Sequence, residues 1–273
     1  MLNRFLLILF LPFSNLSSRG LAEIADLPHA QKFITGVLKA RNLDPNDFEF
    51  KFRNDYAPSI SFRLGNEDIN ISMSCGIDYN YVTNQIEHSL YIQKKALEKV
   101  NAIIANQTNN LARGLSLNEL EFKNIMQFIL GHELQHHFDY VATLSFFNGS
   151  YPEFEEFWKK RSLFDKRQNE IKADKCASLD PKILRVQAKW FQERYNQYKD
   201  FYNYKYSSKN TDSVYHPHPL ERAKYLLIAA NAQEVINKKF NSALSCLIKK
   251  RREKKQQEDR IHQTLSDIEK VIG

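Results

Sequence analysis

The string His132-Glu133-Leu134-Gln135-His136 lies inside the apolar-periodic run from Phe122 to Tyr140 and constrains this chain more than any other stretch. On an α-helix, residues four apart stand one above the other, so His132 and His136 can aim two imidazoles at one ion. Glu133 then lies about 100° further round, beside the ion rather than on it. A carboxylate so placed can take a proton from water at a metal, which is the arrangement a zinc hydrolase needs.

Two imidazoles leave such a centre one protein ligand short. Downstream, Asn169-Glu170-Ile171-Lys172-Ala173-Asp174 places Glu170 and Asp174 four apart, on one face of a helix. Glu170 can complete a three-ligand zinc site with an open position. Asp174, one turn on, can accept the second ring N–H of a ligating histidine. The expected cofactor is therefore one Zn2+ per chain, held by His132, His136 and Glu170, with Glu133 as general base.

At 273 residues and 42% hydrophobic, the chain can bury one substantial core. The formal net charge of +7 invites a nucleic-acid reading until it is located. Residues 1–22 carry two Arg, and residues 249–273 carry eight basic and five acidic side chains, so the segment between is nearly balanced. Nucleic acid is not an expected partner. Met1 to Ala22 reads as an export signal, with Arg4, an apolar centre from Phe5 to Phe13, and Gly20-Leu21-Ala22 as the cleavage site. The expectation is an exported protein, periplasmic or extracellular, with an uncleaved N-terminal anchor as the alternative. Residues 23–248 would form the metal-binding domain, and residues 249–273 a basic helical tail. Cys75, Cys176 and Cys246 form no CxxC pair. Buried free thiols are the default reading, and a Cys75–Cys176 bridge is the other.

Periodicity supplies the elements. Pro28 to Leu43 reads as a helix, and Phe48, Phe50 and Phe52 alternate as a half-buried strand. Ser59 to Leu64 and Asp68 to Cys75 read as a hairpin leading to the metal helix, where an edge strand could hold an extended peptide. Glu87 to Asn106 reads as a helix, with His88 in or beside it and no metal role. Ser116-Leu117-Asn118-Glu119 is a capping box that starts the metal helix. Gly131 costs helix propensity, and close approach of neighbouring backbone would explain it. His137 and Asp139 face away from the ion. Phe154 to Ser178 reads as one helix, as does Pro181 to about Tyr206, whose aromatic stripe suits packing. A polar stretch then delivers His216-Pro217-His218-Pro219 to a helix running almost to the end. The basic run at Lys249 to Lys255 precedes Ile261, Leu265, Ile268 and Ile272, a short seam suited to a helical partner or an anionic membrane surface.

HExxH at His132–His136, ExxAD at Glu170–Asp174 and His216-Pro217 followed by Arg222 occur in order, and in this the chain resembles the gluzincin peptidases that include HtpX and the CAAX prenyl protease. The resemblance covers roughly residues 59–227. It implies a helix-dominated α+β, zincin-like fold with a small β-sheet packed on the HExxH helix. It also implies a zinc-dependent endopeptidase acting on unfolded or membrane-associated polypeptides. Carried over by position, His132, His136 and Glu170 bind zinc, Glu133 activates water, Asp174 orients a ligand, His216 stabilises the oxyanion, and Arg222 holds the segment in place. The interval between His136 and Glu170 is short for the group, and the transmembrane helices of HtpX are absent, so the likeness is to soluble exported members. The alternative reading is a catalytically inactive zincin scaffold that acts as a chaperone or protein-binding module.

Overall fold

The computed structural model describes residues 24–53, 60–64, 66–80, 85–109, 115–206 and 216–272. The expected export signal therefore lies outside the described residues, as does most of the polar stretch before His216. The described chain is helix-dominated α+β. Its elements are α1 (Pro28–Lys39), β1 (Phe48–Arg53), β2 (Ile60–Leu64), β3 (Glu67–Ile71), β4 (Met73–Asn80), β5 (Gln85–Gln93), α2 (Lys94–Asn109), α3 (Leu117–Phe146), α4 (Tyr151–Lys160), α5 (Leu163–Cys176), α6 (Pro181–Gln197), α7 (Lys199–Lys205) and α8 (Pro219–Ile272). Among them no helix is long and apolar enough to cross a membrane.

The long helix α3 is the axis. Ser116 Oγ accepts from the Glu119 backbone N–H, and the Glu119 carboxylate accepts from the Ser116 N–H, so the capping box starts the helix where the sequence places it. Phe122, Ile125, Met126, Ile129, Leu130 and Leu134 are buried along it. They share one core with Ile34 and Leu38 of α1, Phe48 and Phe50 of β1, Leu90 and Ile92 of β5, and Leu184 and Ala188 of α6. A smaller cluster of Ile77, Leu144 and Phe154, flanked by Tyr140, Tyr151 and Trp158, joins the far end of α3 to β4 and α4.

The strands form two small sheets. β5 is central in the order β1-β5-β4, parallel to β1 and antiparallel to β4, while β2 and β3 pair as a separate antiparallel hairpin. Several sequence expectations are corrected here. The segment Glu87 to Asn106 is not one helix. Its first part is β5, where His88, Leu90 and Ile92 are all buried, and helix begins only at Lys94. Leu90 and Ile92 have the period of a strand, and merging them with Leu97 and Val100 hid the change of period. The expected second hairpin strand, Asp68 to Cys75, is also divided. The Ser72 carbonyl accepts from Gln93 N–H, and the chain passes there from β3 into β4 of the other sheet. Alternation continues through Ser72 because it records which way side chains face, not which strand supplies the hydrogen bonds.

The third correction lies between residues 154 and 178. Arg161 and Ser162 interrupt the expected single helix, and Ser162 with Asp165 makes a second capping box at the start of α5. The signal was present as Ser162-Leu163-Phe164-Asp165. Likewise, Tyr198 separates α6 from α7. Of the cysteines, Cys75 is buried, but Cys176 and Cys246 are exposed, and all three are free. The expectation of buried thiols therefore holds for Cys75 alone, and no Cys75–Cys176 bridge forms.

Gly131 shows why α3 and α5 come so close. A Cβ there would collide with the backbone carbonyl of Ala177, just past the end of α5. Arg41 fills the same corner, its guanidinium donating to the carbonyls of Cys176 (2.7 Å) and Ala177 (2.6 Å) at the C-terminal end of α5, where a cation is favoured. Gly131→Ala would gain about 1 kcal/mol of helix propensity. Overpacking against backbone, which no rotamer change relieves, costs about 1–3 kcal/mol and sometimes more. The variant is expected to melt several degrees lower. Thermal unfolding followed by circular dichroism checks this, and an unchanged or raised midpoint would contradict so close an approach.

Candidate metal centre

The centre is assembled from α3, α5 and the start of α8. His132 and His136 lie one turn apart on α3, and Glu170 projects from the middle of α5. All three are buried. His132 Nε2 and His136 Nε2 are 3.1 Å apart, His132 Nε2 and Glu170 Oε2 3.4 Å, and His136 Nε2 and Glu170 Oε1 3.2 Å. The two carboxylate oxygens thus straddle the pair of imidazoles, one facing each ring, at separations close to the roughly 3.3 Å between neighbouring nitrogen or oxygen ligands of a tetrahedral ion. The donors also suit a cation on chemical grounds. Two imidazole nitrogens facing each other can share at most one proton, yet both converge on the same carboxylate. His132, His136 and Glu170 thus form a buried group that can hold a metal ion.

Behind the donors, Asp174 is fully buried on α5. Its Oδ1 lies 3.0 Å from His132 Nδ1. Accepting that ring proton leaves Nε2 as the lone-pair donor directed at the site. The other side of Asp174 is gripped by Arg222 of α8, with Nε donating to Oδ2 and Nη2 to Oδ1, each at 2.7 Å. The guanidinium stacks on the Phe191 ring of α6 at 4.3 Å. One arginine therefore ties three helices to a single imidazole.

Electrostatics follow from this packing. Burial disfavours a charge on His132, but Asp174 and Glu170 outweigh it and raise its pKa to about 10. Burial alone would raise the Glu170 carboxyl; hydrogen bonds from His132, His136 and His216 hold it well below the usual carboxylate range instead. Asp174 is likewise held down against its burial, chiefly by Arg222. Glu133 differs from both. Burial pushes its pKa up, and the neighbouring imidazoles only partly offset this. The backbone of Cys75 on β4, an outer strand of the sheet, faces its carboxylate and tempers that rise.

His216 stands at the rim. Its Nδ1 is 2.8 Å from Glu170 Oε2, and its side chain is 46% exposed, so the ring lies beside a ligand and still meets solvent. His218 turns the other way, into Tyr195, Tyr202 and Tyr206. The structure thus brings together all seven residues singled out in the sequence: His132, Glu133, His136, Glu170, Asp174, His216 and Arg222. His137 and Asp139 lie off the centre as expected. His137 packs on Phe48 and His88 in the core, and Asp139 pairs with Lys172 of α5.

Several supporting residues escaped the sequence reading. Tyr206 donates its hydroxyl to the carbonyls of His216 (3.0 Å) and Pro217 (3.2 Å), fixing the rim. Arg41 and Phe191 act through capping and stacking, and the Cys75 backbone by facing Glu133. None of these leaves a spacing pattern that could be read in advance.

Compared with protein-family models, curated proteins and solved structures, the chain matches none.

Proposed function

We propose that the protein is a zinc-dependent endopeptidase with a zincin-like fold, akin to the gluzincins of the HtpX and CAAX-prenyl-protease group, hydrolysing unfolded or membrane-associated polypeptides. The observation that carries this reading is the conjunction at one helix turn. Three donors converge within reach of one ion, and a fourth group, the half-buried Glu133, has its proton affinity raised beside them. A plain structural metal site has no use for that additional carboxylate, whereas hydrolysis requires a base there.

Zinc, which His132, His136 and Glu170 would hold, would supply Lewis acidity toward a carbonyl and lower the pKa of a bound water. The chain's own residues do the rest. Glu133 takes the proton from the attacking water on its carboxylate and passes it to the departing amine nitrogen, a transfer suited to a carboxyl whose pKa is raised. Asp174 keeps the His132 proton on Nδ1. His216, anchored through Nδ1 on Glu170 and by Tyr206 through its carbonyl, presents its ring at the rim where the carbonyl oxygen gains negative charge. β4, the outer strand next to Glu133, offers an extended peptide a main-chain edge.

The test is digestion of unfolded casein by purified protein. Hydrolysis is expected with zinc present, at least tenfold suppression with a chelator, and recovery when zinc is returned. A metal-replete protein that cleaves nothing would favour the inactive scaffold instead.

A further inference from the structure

The final helix has a second use. α8 packs against α6 and α5 through Ala223, Leu226 and Ala230, all buried, and then leaves the core. Every described side chain from Lys238 to Arg260 is exposed. At 1.5 Å per residue the helix is about 80 Å long, and Ile236 lies roughly 20 Å along it from Arg222.

The projecting part is patterned. Ile236, Phe240, Ala243, Leu244 and Leu247 recur at helical spacings and span about 100° of the surface, a width typical of a buried face. Yet Ile236 is 57% exposed, Phe240 65% and Leu247 64%. Residues 235–255 contain Lys238, Lys239, Lys249, Lys250, Arg251, Arg252, Lys254 and Lys255 against a single acid, Glu253. Removing these 8 from the 39 basic residues and 1 from the 32 acidic residues leaves the rest of the chain balanced, so the whole excess of +7 resides in this one stretch.

This charge decides what can cover the stripe. Antiparallel pairing with a second copy would bring Lys238 and Lys239 of each helix against Lys249 and Lys250 of the other, well within a Debye length and with no acid from 235 to 252 to neutralise them. An anionic bilayer meets both features at once. Its acyl boundary takes Phe240, Leu244 and Leu247, its headgroups neutralise the lysines and arginines, and Arg251 and Lys254, which continue the stripe, can extend their cationic ends to the phosphates.

We propose that residues 235–255 of α8 form a membrane-surface anchor that lies in the interface of anionic lipid and holds the metal centre near it. The anchor does not depend on the hydrolase reading, because lipid association is measured without activity.

The experiment is co-sedimentation of the full chain with two kinds of vesicle, phosphatidylcholine alone and phosphatidylcholine with about one-third phosphatidylglycerol, where juxtamembrane cations are attracted. Binding at least tenfold tighter to the anionic vesicles, and weakened by added salt, is expected. The combined variant Lys249→Gln, Lys250→Gln, Arg251→Gln, Arg252→Gln should lose most of that preference. Phe240→Ser with Leu247→Ser should weaken binding about tenfold or more at unchanged charge. All six positions are exposed, so helix content and melting of both variants should match the parent. Equal binding to both vesicles, or none to either, would overturn the anchor. So would a dimer in sedimentation velocity that dissociates with Phe240→Ser and Leu247→Ser, since the stripe would then be a contact between copies.

Discussion

Glu133→Gln is expected to take up zinc as the parent does and to hydrolyse peptides about 10²–10⁴-fold more slowly, the usual contribution of a positioned general base. Glu133 is not one of the three converging donors, so the metal should stay. Glutamine preserves the volume of the side chain, and the fold should therefore be undisturbed. What it cannot do is accept a proton. The change should appear in kcat rather than in metal content, and the pair of measurements separates loss of a base from loss of a site. Hydrolysis within a few-fold of the parent would mean that another group carries the proton.

Asp174→Ala should show the second large effect, on stability and metal affinity together. Asp174 is the sole carboxylate bonded to the Arg222 guanidinium among the described residues, and it accepts the His132 ring proton. Its removal leaves a buried cation without its hydrogen-bonded partner, which costs about 3–5 kcal/mol. Loss of the group that orients a ligating histidine typically lowers metal affinity by about 10–100-fold. Replacing both partners, Asp174→Ala with Arg222→Met, removes the stranded charge. The double variant should therefore be more stable than Asp174→Ala alone, while its zinc affinity stays low. Chemical denaturation in metal-free buffer reads the first quantity and competition with a chromophoric chelator the second. If the two single changes simply add in stability, the pair is not the clamp that the geometry describes.

The centre was legible in the sequence because its chemistry is tied to helical spacing. His132 and His136 at four residues apart, and Glu170 and Asp174 likewise, announce which side chains share a face before any tertiary contact is known. The start of α3 was legible for the same reason, since Ser116 and Glu119 satisfy one another locally. What stayed hidden depends on partners distant in sequence. β5 is hard to tell from helix because its apolar pair Leu90 and Ile92 runs straight on into Leu97 and Val100 of α2, and its pairing on both edges, with β1 and β4, involves partners distant in sequence. Ser72 changes sheets without breaking the side-chain alternation. Arg41 reaches the end of α5 from more than a hundred residues away, and only the vacancy at Gly131 hinted that something would press there.

His132, His136 and Glu170 are expected to grip one ion together. X-ray absorption at the zinc edge, on protein dialysed to constant metal content, tests this most directly. One zinc per chain is predicted, with nitrogen and oxygen neighbours at about 2.0–2.1 Å and the multiple scattering of two imidazoles, both lost in His132→Ala with His136→Ala. A substoichiometric ion, or a spectrum that this double substitution leaves unchanged, would contradict it.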